Sequence, residues 1–279
     1  MPPSATTRQL LDDYEGVLLD IYGVILDASG LLPGAAELVS ELARQSKPYA
    51  FVTNDASRST ATYAGRFASM GLDVSPDRFV TSGSLLPGYI HATNLVGARI
   101  GVLGTDDSAA FVHAGGGIPV TITRGCDFDA LAVCDDAGFA FLDGLEWALS
   151  AIVRAVDAGR RPALVLPNPD LVYPKGGGEL GFTAGTMALM IEAALERRFP
   201  TANLRFEHLG KPQPNLFLRA SAQLGIVPER LVMIGDQLET DIAGARAAGC
   251  AAALLHGHVS RWNEAATVEP TWLLDQLWP

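Results

Sequence analysis

The chain has 279 residues, of which 20 are basic and 31 acidic, so its formal net charge is −11 at neutral pH. Hydrophobic residues make up 48% of the sequence, which is enough for a sizeable core and excludes an intrinsically disordered chain. The charge argues against a partner that is nucleic acid or an anionic membrane. No apolar run reaches 18 residues, so no membrane span is expected. The first sixteen residues lack the basic start and apolar stretch of a signal peptide. The three irregularly spaced cysteines favour reduced thiols in a cytoplasmic protein.

Short apolar runs alternate with helical patterns along the chain. The first half predicts, in order, a strand at residues 16–20, a helix at 35–45, a strand at 49–53 and a helix at 60–70. The same alternation of strands and helices occurs near the end of the sequence, with a strand at 231–235, a helix at 240–248 and a strand at 251–255. Alternating strands and helices form parallel sheets with right-handed crossovers, so the pattern predicts an α/β fold with a doubly wound, Rossmann-like core.

The interval between these halves has secondary structure of its own. Its candidate elements are strands at 99–103, 130–133 and 163–166 and a helix at 145–157. We therefore predict an inserted α/β cap domain at residues 86–182, flanked by the core segments 1–85 and 183–279. Residues 176–181 (GGGELG) match GxGxxG formally but follow no strand, so we interpret them as a flexible connection from cap to core. In the C-terminal tail, three tryptophans are expected to pack onto the core: Trp262, Trp272 and Trp278.

Polar residues at the ends of the predicted strands indicate a functional site. Asp20 and Asp236 each follow a buried strand, and Thr53 ends another. Lys211, one of three lysines in the chain, lies in the segment LGKP. A single Asp at a strand end is usually a turn residue. Carboxylates that meet a hydroxyl and an ammonium at the carboxyl edge of one sheet instead suit a magnesium ion and a phosphate group.

These segments resemble the four motifs of the haloacid dehalogenase-like hydrolase superfamily. The matching stretches are DIYGV at 20–24, VTN at 52–54, GKP at 210–212, and GD with TDI at 235–242. The interval from Asp20 to Thr53 is too short for a cap, whereas the interval from Thr53 to Lys211 is long enough for one. That spacing is similar to the class IIA arrangement, as is LPNPD at 166–170, which resembles the cap signature of that class.

The resemblance implies roles for eight residues. Asp20 would be the nucleophile that forms an aspartyl-phosphate, and Lys211 would neutralise it and the developing negative charge. Four residues are expected around Mg²⁺: Asp20, Tyr22 through its backbone carbonyl, Asp236, and Asp241 in or just outside the first shell. Three are expected to bind substrate: Thr53, Asn54 and, from the cap, Asp170. The expected substrate is a small phosphorylated metabolite, and family analogy suggests a homodimer.

One residue departs from the pattern of the superfamily's phosphatases. Most of them carry a second Asp two positions after the nucleophile, which protonates the leaving group, and here that position is Tyr22. A phenol with a pKa near 10 is a poor base at neutral pH, and Asp27 and Asp55 are nearby acids that could replace it. Alternatives to a phosphatase are therefore a phospho-ligand binder with weak turnover and a carbon–halogen hydrolase. The carbon–halogen hydrolases of the superfamily also have the motif Asp-x-Tyr-Gly. Their cap, however, lies between the first and second motifs, the interval that is too short for a cap in this chain.

Overall fold

The computed structural model describes residues 1–256 and 267–278, which form two parallel sheets and two short antiparallel hairpins. The strands are β1 (Gly16–Leu19), β2 (Leu26–Asp27), β3 (Gly30–Leu31), β4 (Tyr49–Thr53), β5 (Phe79–Thr81), β6 (Arg99–Leu103), β7 (Ile118–Thr121), β8 (Ala130–Val133), β9 (Ala163–Leu166), β10 (Val172–Gly176), β11 (Glu179–Phe182), β12 (Glu207–His208), β13 (Leu231–Gly235), β14 (Ala251–Leu255) and β15 (Trp272–Leu274). The α-helices are α1 (Thr7–Asp13), α2 (Ala35–Arg44), α3 (Thr60–Ser69), α4 (Leu86–Ala92), α5 (Asp106–Ala114), α6 (Phe141–Asp157), α7 (Ala184–Arg198), α8 (Asn215–Leu224) and α9 (Ala243–Ala247).

The first sheet is the predicted doubly wound core. Its six parallel strands lie in the order β15-β14-β13-β1-β4-β5. The chain winds outward from β1 through β4 to β5, and later from β13 on the other side of β1 to β15. Residue pairs Leu19–Ile234 and Leu19–Phe51 hold β1 between β13 and β4. The strand order therefore reverses beside β1, and the carboxyl ends of the strands at such a point form a ligand-binding crevice.

Helices cover both faces of the core sheet. Val17 and Leu19 pack in the cluster that includes residues of α1, α2 and α3, whereas Leu18 packs with α8 and α9. Neighbouring side chains of a strand point to opposite faces, so β1 must be apolar at every position to be buried on both. This explains why the core strands read as continuous apolar runs.

The second sheet forms the inserted unit, with the strand order β12-β9-β8-β6-β7 and all strands parallel. Helices α4 and α5 pack on one face, and α6 and α7 pack on the other. Both α7 and β12 follow residue 182, where the sequence predicted the end of the cap. Met187 and Ile191 of α7 are buried in the second unit's core, and His208 pairs with Leu166 of β9. The structure thus extends this unit to about residue 208.

Two hairpins lie outside the sheets, and neither is predicted above. The β2–β3 hairpin follows Asp20, and the β10–β11 hairpin lies in the chain between β9 and α7 of the second unit. Residues 176–178 form the turn of the latter, where all three glycines have positive φ. The interpretation of GGGELG as a flexible cap-to-core connection is therefore wrong. The two hairpins approach each other, since a side chain at Gly176 would lie 3.1 Å from Asp27 Oδ2.

The C-terminal tail packs onto the core as expected for two of its tryptophans. Trp272 and Trp278 contact the hydrophobic cluster on the α1–α3 face, and Trp272 Nε1 donates a hydrogen bond to Tyr14. Trp262 lies outside the described residues. Within residues 1–256 and 267–278, no helix is both long and apolar enough to cross a membrane.

Candidate active site

The nucleophile candidate lies at the carboxyl end of β1. The Asp20 N–H donates to the Ile234 carbonyl at 3.0 Å, so the ladder with β13 continues up to this residue. The chain then turns through Gly23, which has a φ of +92°. A Cβ at Gly23 would lie 2.2 Å from Asp236 Oδ2. Only glycine fits this position, because the turn needs positive φ and passes directly against a carboxylate.

Three buried carboxylates gather at this edge of the sheet. Asp20, Asp236 and Asp241 each offer an oxygen, and these oxygens lie within 4.8 Å of one another. Asp241 is brought back towards β13 by a π-helical turn, Leu238–Ile242, where a regular α-helix was expected. Its Oδ2 accepts the N–H groups of Asp236 and Gln237. Buried like charges repel each other strongly, and a hard divalent cation with oxygen ligands offsets that repulsion. The donor set therefore fits Mg²⁺.

Lys211 links two of these carboxylates. Its Nζ donates to Asp20 Oδ1 at 2.8 Å and to Asp241 Oδ1 at 2.6 Å, and the residue is only 1% exposed. Burial alone would lower the pKa of Lys211, but the negative charges of Asp20 and Asp241 raise it above its ordinary value. The ammonium therefore stays charged at neutral pH. Asp20 and Lys211 come from segments that lie far apart in the chain.

Burial also alters the pKa of Asp20. Desolvation and the charge of Asp241 raise the pKa of Asp20 to about 7, although Lys211 acts in the opposite direction. A cation placed among the three carboxylates would stabilise the anionic form and lower that pKa. Positive charge in addition to Lys211 would therefore favour the ionised form of Asp20.

Hydrogen bonds of the Asn54 side chain join its own segment to those of Lys211 and Asp170. Asn54 Oδ1 accepts the Lys211 N–H at 2.7 Å, and its Nδ2 donates to the Lys211 carbonyl at 3.1 Å and to Asp170 Oδ1 at 2.9 Å. Thr53 is buried at the end of β4, and its Oγ1 accepts the N–H of Asp55. Burial raises the pKa of Asp170 to about 6, against the lowering effect of Lys211. A substrate-binding role for Thr53, Asn54 and Asp170 stays a prediction, but the structure brings all three to the site.

The side chain of Tyr22 is held by an arginine that the sequence did not reveal. Arg66 of α3 donates from Nη1 to the Tyr22 hydroxyl, and its guanidinium lies 5.3 Å from the centre of the ring. The Tyr173 ring of the second unit meets the Tyr22 ring nearly edge-on, with 6.0 Å between centroids. The place of the superfamily's second Asp is thus filled by an aromatic ring fixed from both units.

The two acids considered as substitutes for that Asp have local partners. Asp55 Oδ1 accepts from the N–H and hydroxyl of Ser57, and its Oδ2 accepts from Arg58 at 2.7 Å and from the Tyr63 hydroxyl. Asp27 Oδ1 accepts from the N–H and hydroxyl of Ser29. Both carboxylates stabilise turns, as short acidic side chains commonly do. Asp55 also lines the cavity described next.

A cavity of about 170 Å³ opens onto Asp20 between the two units. The core contributes Asp20, Tyr22, Thr53, Asp55, Arg58 and Gln237 to its wall. The second unit contributes Asp135, Asp136, Ala137, Asn168, Asp170, Val172, Tyr173 and Thr183. Asp135 and Asp136 were missed, although they follow β8 closely and repeat the signal that identified Asp20. No sequence pattern singles out Tyr173 as a wall of this cavity.

Comparisons with known proteins agree with this arrangement. A family model described as haloacid dehalogenase-like hydrolase matches residues 17–117, and one described as HAD-hydrolase-like matches residues 208–279. Chronophin from Mus musculus is 28% identical over 270 residues, covering 94% of this chain and 87% of chronophin.

Two solved structures are similar over nearly the whole chain. A possible sugar phosphatase of the HAD superfamily from Cytophaga hutchinsonii is 28% identical, with a TM-score of 0.85 and 99% coverage of each chain. A glycerol phosphate phosphatase from Mycobacterium tuberculosis, solved in complex with calcium, is 26% identical, with a TM-score of 0.75, and the match covers 96% of this chain and 75% of that one. The motifs, the fold and these matches together show that the chain belongs to the haloacid dehalogenase-like hydrolase superfamily, with the cap position of class IIA.

Proposed function

We propose that the protein is a magnesium-dependent phosphatase that hydrolyses a small phosphate monoester through an aspartyl-phosphate. The observation that carries the proposal is the setting of Asp20. Its carboxylate lines a cavity between two units, 2.8 Å from a buried ammonium and in a cluster with two further carboxylates. Phosphatase names among the similar proteins, and the calcium in one of their structures, support the same reaction class.

Each group has a distinct task in this reaction. Asp20 attacks phosphorus, the bond from phosphorus to the leaving oxygen breaks, and water later hydrolyses the aspartyl-phosphate and releases phosphate. Lys211 stabilises negative charge on Asp20 and on the phosphoryl oxygens, and the Thr53 hydroxyl donates to one of those oxygens. Mg²⁺ would be held by Asp20, Asp236 and the carbonyl of Tyr22, with Asp241 beside them, and would supply charge neutralisation to an anionic nucleophile that meets an anionic substrate.

Tyr22 and Asp55, which line the cavity with Asp20, are both engaged by other residues and so are poorly placed to protonate the leaving group. Tyr22 is bound to Arg66, and Asp55 is engaged by Ser57, Arg58 and Tyr63. We therefore expect slow turnover of alkyl esters, whose alkoxide leaving groups need a proton, and faster turnover of activated aryl esters. Positioned acid–base catalysis typically contributes about 10²–10⁴-fold.

The engagement of Tyr22 and Asp55 by other residues also favours a second candidate, a phospho-ligand binder with vestigial turnover. The two are separated by assaying p-nitrophenyl phosphate and a panel of alkyl phosphates with Mg²⁺, beside an Asp20→Asn control. Hydrolysis that disappears in the control supports the phosphatase. Binding of a phosphate analogue without Asp20-dependent hydrolysis supports the binder, and magnesium-independent release of halide from a 2-haloacid would support the carbon–halogen hydrolase instead.

A further inference from the structure

The cavity extends beyond Asp20 into a region that must hold whatever the phosphate is attached to. Its walls there include the nearly perpendicular rings of Tyr22 and Tyr173. The loop that follows β8 adds two carboxylates, Asp135 and Asp136. This outer part of the cavity therefore combines aromatic surface with negative charge, close to the point where a phosphoryl group would react.

Positive charge on the cavity wall is scarce. Among the described residues that line the cavity, Arg58 is the one with a cationic side chain, and it pairs with Asp55 at 2.7 Å. Arg66 donates to the Tyr22 hydroxyl from α3. In the part of the chain that the structure describes, no ion pair within 4 Å involves Asp135 or Asp136. Asp55, Asp135 and Asp136 thus outnumber the charged guanidinium groups of Arg58 and Arg66, so the outer cavity carries net negative charge.

Burial and nearby carboxylates act together on the titratable groups of this wall. Burial and the charge of Asp55 raise the pKa of Asp135 to about 6, although the Ala137 N–H stabilises its carboxylate. Burial also raises the pKa of Tyr173, and the carboxylate of Asp136 adds to that rise. A cation in this space would be attracted by both carboxylates and by the face of an aromatic ring. An additional anion would be repelled by the two carboxylates.

We propose that the leaving group of the substrate carries a positive charge, so that the preferred substrate is the phosphate monoester of a small amino alcohol. This inference rests on the proposed function, because it assigns the outer cavity to the alcohol part of a phosphate ester. The phosphoryl group lies at Asp20, and the ammonium lies between Asp135, Asp136 and the Tyr173 ring. Hydrolysis breaks the bond between phosphorus and the ester oxygen and releases the amino alcohol and inorganic phosphate.

A matched pair of esters tests this directly. 2-Aminoethyl phosphate and 2-hydroxyethyl phosphate are nearly equal in size and differ in an ammonium against a hydroxyl. We expect kcat/KM to be about 10-fold higher for the amino ester, as two partly exposed ion pairs would give. Asp136→Asn should bring that ratio down towards about 3. The ratio cancels any general loss of catalytic power, and Asp12→Asn, which removes an exposed carboxylate of α1, should leave it unchanged.

The outcomes separate this inference from the proposed function. A ratio of one or less, with Asp20-dependent hydrolysis of both esters, overturns the cationic leaving group and leaves the phosphatase intact. Loss of all Asp20-dependent hydrolysis overturns the phosphatase. In that case the same ratio is measured from the Kd of each ester by calorimetry on the intact protein with Mg²⁺. Equal Kd values overturn the inference, and tighter binding of the amino ester that weakens in Asp136→Asn supports it.

Discussion

Replacing Tyr22 by aspartate tests whether this site lacks a proton donor. The substitution would place a carboxyl group two residues after Asp20, as in most phosphatases of the superfamily. We expect kcat/KM for alkyl phosphates to rise by about 10²-fold, the low end of acid–base contributions, which corresponds to about 2.7 kcal/mol of transition-state stabilisation. Activated aryl phosphates should gain much less, because their leaving groups need little proton assistance.

The structure also sets the cost of this change. The variant loses the hydrogen bond from Arg66 and the contact of its guanidinium with the ring, together about 2–3 kcal/mol. A folded domain has about 5–15 kcal/mol of stability, so the protein should still fold but melt at a lower temperature. Tyr22→Asn is the matched control, because it makes the same cavity without a group that can transfer a proton.

The assay compares kcat/KM on one alkyl and one aryl ester for the parent, Tyr22→Asp and Tyr22→Asn, after melting curves confirm folding. Our reasoning requires that the aspartate variant exceed both others on the alkyl ester. Equal rates for Asp and Asn would refute it. They would show that the new carboxyl transfers no proton, and that another group or the substrate already does so.

Three further predictions concern charge at the site. Asp236→Asn should abolish the calorimetric signal of Mg²⁺ binding, and unchanged binding would contradict the metal assignment. Lys211→Met should lower kcat by at least about 10²-fold, because it removes the cation bound to two carboxylates, and an unaffected kcat would contradict that role. The folded-state pKa of Asp135, about 6, lies above its unfolded value, so its contribution to stability is lost as pH rises from about 4 to 6. Melting temperature in this range should therefore fall less steeply with pH in Asp135→Asn than in the parent, and parallel curves would contradict the raised pKa.

The position of the central site could be predicted because parallel strands end at a common edge. Each of β1, β4 and β13 is a continuous apolar run, and each ends where a polar residue begins: Asp20, Thr53 and Asp236. Once the strands were identified, sheet geometry alone brought these side chains together. Spacing then located the insertion, since a long interval with its own strand pattern has to form a separate sheet.

Other features depend on packing that a local pattern does not express. Helix α7 has large apolar residues on its exposed side, Leu189 and Met190, as well as on its buried side, and only its contacts with β8 and β9 place it in the second unit rather than the core. Strand β7 is an exposed or half-buried edge strand without a clear apolar run. Three consecutive glycines resemble a linker, but here they make the positive-φ turn of the β10–β11 hairpin.

The contacts of the Tyr22 side chain could not be predicted from the sequence for the same reason. Its partner Arg66 lies on α3, and Tyr173 lies on a hairpin of the other unit. The Arg66 contact forms only when α3 packs in the core, and the Tyr173 contact forms only when the core and the inserted unit assemble. A motif identifies the residue type at position 22, whereas the folded structure shows what binds its hydroxyl and ring.

The central claim is that Asp20 becomes phosphorylated during hydrolysis. It is tested most directly by mixing the protein with Mg²⁺ and a ³²P-labelled aryl phosphate, quenching with acid within the first turnover, and mapping the label. We predict label on the peptide that contains Asp20, and no label on the Asp20→Asn variant. Full hydrolysis by Asp20→Asn, or label on a different peptide, would contradict the account.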